Sequence, residues 1–323
     1  MPENKKLKIG IYWAAACGGC DVAITHINEK ILDLIEAADI VFWPCAMDFK
    51  YEDLRKMDDK YMDVCLFSGA IRNSDHEELA KLIREKSKVL IAFGACACFG
   101  GIPGLSNVTT AKESMQRAYL EEPTTPNSGK VLPQLNTKVP EGDLSLPLIW
   151  DTVHTLKQVV DVEYFVPGCP PTPELIAAAV DAIMSGKLPP AGAVIAGSKA
   201  LCDECERVKK NEMRVSEFKA PWEIPIDSEQ CLIEQGIVCM GPATRSGCGA
   251  QCLKVNMPCR GCFGPPEGVE DQGAAMLGAI ASVVCPDVDK TLKETLDGLR
   301  DPIGTFYRFS LPDSMLRRTR ISK

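Results

Sequence analysis

The chain has 323 residues, 46% of them hydrophobic and 25% charged, a composition of ordinary globular proteins at a length that suits two domains. Its net charge of −8, with no basic cluster, argues against a nucleic-acid partner. No apolar run reaches the roughly 18–20 residues needed to span a membrane, and no Walker loop or GxGxxG motif points to nucleotide chemistry.

The N-terminus, MPENKKLKIGIYW, runs from a charged lead into a strand-like segment, with no separate apolar core, small-residue cleavage site or twin arginine. Together with 16 cysteines, this predicts a reducing cytoplasm, where thiols serve metals or redox chemistry more often than disulfides. Apolar runs at 8–13, 39–44, 63–68, 89–93 and 162–166 have the length and β-branched or aromatic content of buried strands. Between them, one helix over 21–38 is expected to place Ile24, Ile27, Ile31, Leu34, Ile35 and Ala38 on a single stripe. The next is expected to begin at Ser74 as a capping box with Glu77, and the helix after Cys169 to open at Thr172, Pro173 and Glu174 and stop at Gly186. Strand and helix alternation predicts an α/β fold, a doubly wound parallel sheet with ligands gathered outside the carboxyl ends of its strands.

Residues 100–148 are rich in Pro, Gly, Thr and Asn, with a short helix expected near 111–120; so long a connection predicts a surface for a partner. After Gly186 the periodicity fades, and residues 187–267 hold eight cysteines among prolines and glycines, so metal coordination is expected to replace core burial. Helices are expected over 271–284 and 288–299. The histidines, His26 and His154 on helices and His76 near a helix start, have no carboxylate or serine motif to complete a catalytic set, and no catalytic residue is assigned.

Twelve of the cysteines fall into three groups of four. Cys17 and Cys20 of CGGC, Cys96 of GACACFGG and Cys169 of GCPP make the first, each following a predicted strand. Cys202 and Cys205 of CDEC with Cys231 and Cys239 make the second, and Cys248, Cys252, Cys259 and Cys262 the third. Four thiolates suit one cubane iron-sulfur cluster, and a short CxxC bite brings two sulfurs to one centre. Structural zinc also takes four thiolates, but the gap from Cys205 to Cys259 far exceeds the roughly 15–20 residues of a zinc ribbon. Gly18, Gly19, Gly100, Gly101 and Gly168 flank the first group, where missing side chains let backbone amides approach sulfur. Cys45, Cys65, Cys98 and Cys285 stand outside the groups; Cys65 reads as a small buried hydrophobe, and Cys98 as a decoy beside Cys96.

CGGC, GACACFGG, GCPP and the stretch CLIEQGIVCMGPATRSGC resemble the small, electron-transferring subunit of nickel-iron hydrogenases, over most of the chain. The resemblance implies three 4Fe-4S clusters: a proximal one on Cys17, Cys20, Cys96 and Cys169, a medial one on Cys248, Cys252, Cys259 and Cys262, and a distal one on Cys202, Cys205, Cys231 and Cys239. It implies a flavodoxin-like domain over 1–186 and an irregular, mainly helical and loop iron-sulfur domain over 187–323. Many relatives have histidine where Cys202 stands and proline where Cys252 stands; the thiols here imply an all-cysteine distal site and a four-iron medial one. Oxygen-tolerant relatives carry extra cysteines at the positions of Gly19 and Gly101, so oxygen sensitivity is implied. Within the family the chain most resembles the methyl-viologen-reducing, deazaflavin-non-reducing enzymes of methanogens. By that likeness the partners are a nickel-iron large subunit that splits dihydrogen, a small 2Fe-2S acceptor subunit and heterodisulfide reductase, with electrons also reaching ferredoxin. The competing readings are the quinone-coupling iron-sulfur subunit of respiratory complex I, which shares the first domain, and a non-catalytic zinc-organised module.

Overall fold

The computed structural model describes residues 6–210, 213–285 and 292–318. In chain order, β1 (Leu7–Trp13) leads to α1 (Gly19–Thr25), α2 (Lys30–Ala37), β2 (Ala38–Phe42), α3 (Tyr51–Lys56), β3 (Met62–Ser68), β4 (Ile71–Asn73), α4 (Ser74–Lys86), β5 (Ser87–Phe93) and α5 (Ala95–Phe99). Then come α6 (Ala111–Gln116), β6 (Asn136–Val139), β7 (Gly142–Ser145), β8 (Ile149–His154), β9 (Tyr164–Val166) and α7 (Pro173–Ser185). Five of the strands form one parallel sheet in the order β2-β1-β3-β5-β9, the flavodoxin-like doubly wound arrangement.

Side chains alternate between the two faces of this sheet with the period of two that a pleated strand imposes. Ile9, Ile11, Val64, Leu66, Ile91 and Phe93 pack against helices α1, α2 and α7 on one side. Tyr12, Cys65, Phe67, Leu90 and Ala92 face Leu79, Ala80 and Ile83 of α4 on the other. Because both faces are buried, the strands read as nearly continuous apolar runs, which is why they are visible in the sequence.

The helix expected over 21–38 is two. The chain breaks after α1 at Asn28, whose φ is 54°, a conformation that Asn tolerates better than most residues. Ile24, Ile27 and Leu34 reach the core, Ile35 is 51% exposed, and Ala38 already pairs with Leu7 as the first residue of β2. Helix α4 is capped by Asn73 rather than Ser74: the Asn73 side chain accepts from the His76 amide at 2.8 Å. Helix α7 keeps its expected ends, with Thr172 accepting from the Leu175 amide and Gly186 in the left-handed conformation.

The connection over 100–148 is more ordered than its composition suggests. It holds a 3-10 turn (Ile102–Val108), α6 with a Thr110–Glu113 capping box, and the β6–β7 hairpin. Asn107, fully buried, clamps β8 by donating to the Val153 carbonyl at 3.0 Å and accepting from its amide at 2.7 Å. His154 lies on β8, paired antiparallel to Ile71 of β4, and not on a helix; the β-branched and aromatic content of IWDTVH explains the strand.

Beyond Gly186, residues 192–195 run along β9, with hydrogen bonds between Phe165 and both Ala193 and Ile195. The cysteine-rich part then builds a third apolar cluster, so burial is not displaced there as the sequence suggests. Leu201, Phe218, Ile237, Met240, Leu253, Met276, Ile280 and Phe306 form it. Their contacts come from α8 (Gln251–Lys254), α9 (Gln272–Val283), α11 (Pro302–Phe306) and several loops, which is why no period announces them. The expected 271–284 helix is α9, capped by Asp271. Of the expected 288–299 helix, α10 (Leu292–Leu296) is described, and residues 286–291 lie outside the described residues. Phe263 enters the cluster on the α1 face of the sheet and Phe309 the cluster on the α4 face, so the two halves share their cores. Among the described residues no helix is long and apolar enough to cross a membrane.

Candidate metal centre

The carboxyl ends of the parallel strands meet at one edge of the sheet, and the first four thiols gather there. Gly18 turns the chain after β1 at φ 84°, placing Cys17 just before α1 and Cys20 in its first turn. Cys96 sits in α5, directly after β5, and Cys169 follows β9 through Gly168, whose φ is 132°. The ends of β5 and β9 are tied by the Gly94 amide donating to Val166 at 2.7 Å and the Ala95 amide to Gly168 at 2.6 Å. A β-carbon at Gly94 would collide with Cys20 Sγ, and one at Gly101 with Cys96 Sγ, so both positions need glycine for the thiols to sit as they do.

Electrostatics shows which thiols are neighbours. Burial, and then Cys96, Cys169, Asp21 and Cys17, drive the Cys20 thiol far above its ordinary range. Burial pushes Cys96 up to about 12, helped by Cys169 and Cys17, and burial and Cys17 raise Cys169. Cys98 is a neighbour as well, raised by burial and by Cys20 and Cys96. Two residues along the same short helix it is fully buried, donating to the Ala92 carbonyl at 3.3 Å and the Val166 carbonyl at 3.7 Å.

In the second set, Cys202 is raised first by burial, with Cys231 and Cys205 adding to the effect and Lys209 opposing it. A β-carbon at Gly241 would lie 3.2 Å from Cys202 Sγ and 3.6 Å from Cys239 Sγ, which puts those two sulfurs around one small volume. Arg207 holds the surrounding loops. It donates to the carbonyls of Asp227 at 2.7 Å, Gln230 at 2.9 Å and Leu253 at 3.0 Å, and to Asn256 Oδ1 at 2.6 Å.

In the third set, burial pushes Cys259 and Cys262 up to about 12, Cys262 and Cys248 adding to the first, and Cys169, Cys248 and Cys252 to the second. Cys248 is raised by burial, Glu204 and Cys252, against the Ala250 and Gln251 amides. A cavity of about 380 Å³ is lined by all four thiols of this set and by Cys169. The sets also meet one another: Cys169 neighbours Cys262, and the Cys259 amide donates to Cys239 Sγ at 3.4 Å.

These donors fit iron-sulfur cubanes. Each set offers four sulfurs, at least one of them buried, and neighbouring thiols raise one another, so that ionising them together requires a positive centre among them. Among the described residues no three His, Cys, Asp or Glu side chains are placed to hold one lone metal ion.

Two polar residues of these regions are not singled out by the sequence. Asp21 is 5% exposed beside Cys20 and accepts from Trp43 Nε1 at 3.0 Å and Ser68 Oγ at 3.1 Å, with Cys45 Sγ at 3.7 Å. Its one sequence signal is an acid directly after CGGC. Arg207, whose partners come from distant loops, has none. Cys65 is fully buried on β3, as its position mid-strand suggests, and Cys285 is exposed.

A parallel α/β sheet with thiols at its carboxyl edge, continued by a cysteine-rich half, describes an iron-sulfur electron-transfer chain of the oxidoreductase class. Residues 17–183 match the family described as NADH ubiquinone oxidoreductase, 20 Kd subunit. The iron-sulfur subunit of the F420-non-reducing hydrogenase of Archaeoglobus profundus is 40% identical over 97% of this chain and 98% of its own length. A subunit of the F420-non-reducing hydrogenase of Methanothermobacter thermautotrophicus is 40% identical over 97% of this chain and 96% of its own. A chain of a solved NAD+-reducing [NiFe]-hydrogenase is 28% identical, with 57% of this chain and 94% of that one covered at a TM-score of 0.49. The family match ends before Cys202, whereas the matches to the two archaeal hydrogenase relatives cover 97% of the chain. The chain belongs to the family of small, electron-transferring subunits of nickel-iron hydrogenases, alongside those of the F420-non-reducing enzymes. Such a subunit carries iron-sulfur clusters and pairs with a large subunit that holds the active site.

Proposed function

We propose that this chain relays electrons from dihydrogen, oxidised at the large subunit, through three four-iron sites to an acceptor subunit. Cys17, Cys20, Cys96 and Cys169 hold the proximal group, Cys248, Cys252, Cys259 and Cys262 the medial one, and Cys202, Cys205, Cys231 and Cys239 the distal one. When bound, the three 4Fe-4S groups supply one-electron carriers whose potentials the protein adjusts through charge, hydrogen bonds and exposure. The observation that supports the reading is the pair of links between sets, Cys169 beside Cys262 and Cys259 beside Cys239, as expected if the third set lies between the other two.

The chain's own residues prepare each site. Gly94 and Gly101 leave room for Cys20 and Cys96, Arg207 fixes the loops around the distal thiols, and the apolar clusters exclude water from the more buried sulfurs. The unit over 1–186 carries the proximal site and that over 187–323 the other two. The apolar side chains left exposed on 100–148, among them Tyr119, Leu135, Leu146 and Leu148, form a surface for a partner subunit. Like the F420-non-reducing hydrogenases to which it is similar, this enzyme does not reduce F420. Its acceptor is a small 2Fe-2S subunit that delivers electrons toward heterodisulfide reductase and ferredoxin in methanogenesis, in the cytoplasm.

Replacing Cys202 by Ala tests the grouping. The expected outcome is loss of one cluster's electron paramagnetic resonance signal, with the proximal and medial signals intact. Loss of the proximal signal instead would show the sets to be wrongly drawn.

A further inference from the structure

Arg260 stands between two thiols of the third set, in the sequence Cys259-Arg260-Gly261-Cys262. Half-buried, it lines the cysteine cavity and also a neighbouring cavity of about 240 Å³, whose wall carries Lys219, Arg300, Asp301 and Arg308. The other charges of that wall are engaged: Lys219 pairs with Glu217 at 3.2 Å, Arg300 with Glu223, and Asp301 accepts from the Gly304 amide at 3.0 Å. Arg260 and Arg308 are different. They share that wall, neither makes an ion pair among the described residues, and Arg308 Nε is buried with no hydrogen-bond partner.

Two guanidiniums on one cavity wall, partly withdrawn from water, are unfavourable unless negative charge is near. The negative charge within reach is sulfur: Arg260 lines the cavity that Cys248, Cys252, Cys259 and Cys262 also line. Those four thiols are the third set. A cubane held by four thiolates is anionic, and adding one electron makes it more negative by one charge without making or breaking a bond. A fixed cation beside it favours that reduced state, because the attraction grows with the added charge.

We infer that Arg260, backed by Arg308, is the counter-charge of the medial site and holds its reduction potential up. The inference rests on the medial ligand set proposed above. The electron comes from dihydrogen oxidised at the large subunit and leaves by the distal site, so no further reactant is involved.

The test is a redox titration, followed by electron paramagnetic resonance, of the anaerobically purified hydrogenase complex carrying Arg260→Gln, Arg260→Lys or Arg308→Gln. Arg260→Gln is expected to move the medial midpoint to lower potential, Arg308→Gln to move it the same way by less, and Arg260→Lys to keep most of the native value. The proximal midpoint should not move in any of them. Should Arg260→Gln fail to retain iron, Arg308→Gln, which lies outside the ligand segment, decides. A medial midpoint unchanged in Arg308→Gln and in any iron-retaining Arg260→Gln would overturn the inference. Absence of a medial signal from the unaltered complex would instead remove the ligand assignment on which it stands.

Discussion

At Gly101 the backbone has φ 57°, and an added β-carbon would meet Cys96 Sγ and lie 2.8 Å from Cys96 Cα. A side chain there is strained and must also displace the sulfur. Gly101→Ala is therefore expected to lose the proximal signal while the other two persist; iron content and electron paramagnetic resonance check it, and a native proximal signal would refute the crowding. Glycines flanking CGGC, GACACFGG and GCPP are conspicuous in the sequence, and so are the cysteines. The choice of Cys96 over Cys98 has only the following glycines behind it there. In the structure Cys98 is fully buried and donates to strand carbonyls, which favours Cys96 in the proposed set. Asp21, Arg207 and the Arg260–Arg308 pair are not legible in the sequence, because what distinguishes them is a neighbour supplied by a remote loop.

Among the elements, the parallel strands are legible because burial on both faces makes each a compact apolar run. Helix ends are less so. SDHEE looks like a capping box begun by Ser74, yet Asn73 on β4 takes the role, with its side-chain oxygen on the His76 amide. Asn73→Ala should reduce stability by about 1 kcal/mol, as measured by denaturant unfolding, and Ser74→Ala by much less. Equal effects would return the cap to Ser74. The stripe over 21–38 is a true core pattern assigned to too long a helix. Ile24, Ile27 and Leu34 are buried as a helical face requires, but nothing in their spacing marks the turn at Asn28. His154 reads as helical from its own neighbourhood because the partner that makes it a strand residue, Ile71, is distant in sequence.

On the scale of the molecule, the doubly wound sheet gathers residues from three crossover connections at one edge, and a second half packs Phe263 and Phe309 into both faces of the same domain. The sheet is readable from alternation alone. The third apolar cluster is not, since its members are scattered over turns and short helices between cysteines. On the proposed assignment, Cys169 beside Cys262 and Cys239 beside Cys259 favour a third set lying between the other two. Iron and acid-labile sulfide measured on the anaerobically purified chain test this most directly. Three cubanes predict about twelve of each per chain. About four of each, or zinc without sulfide, would contradict the account.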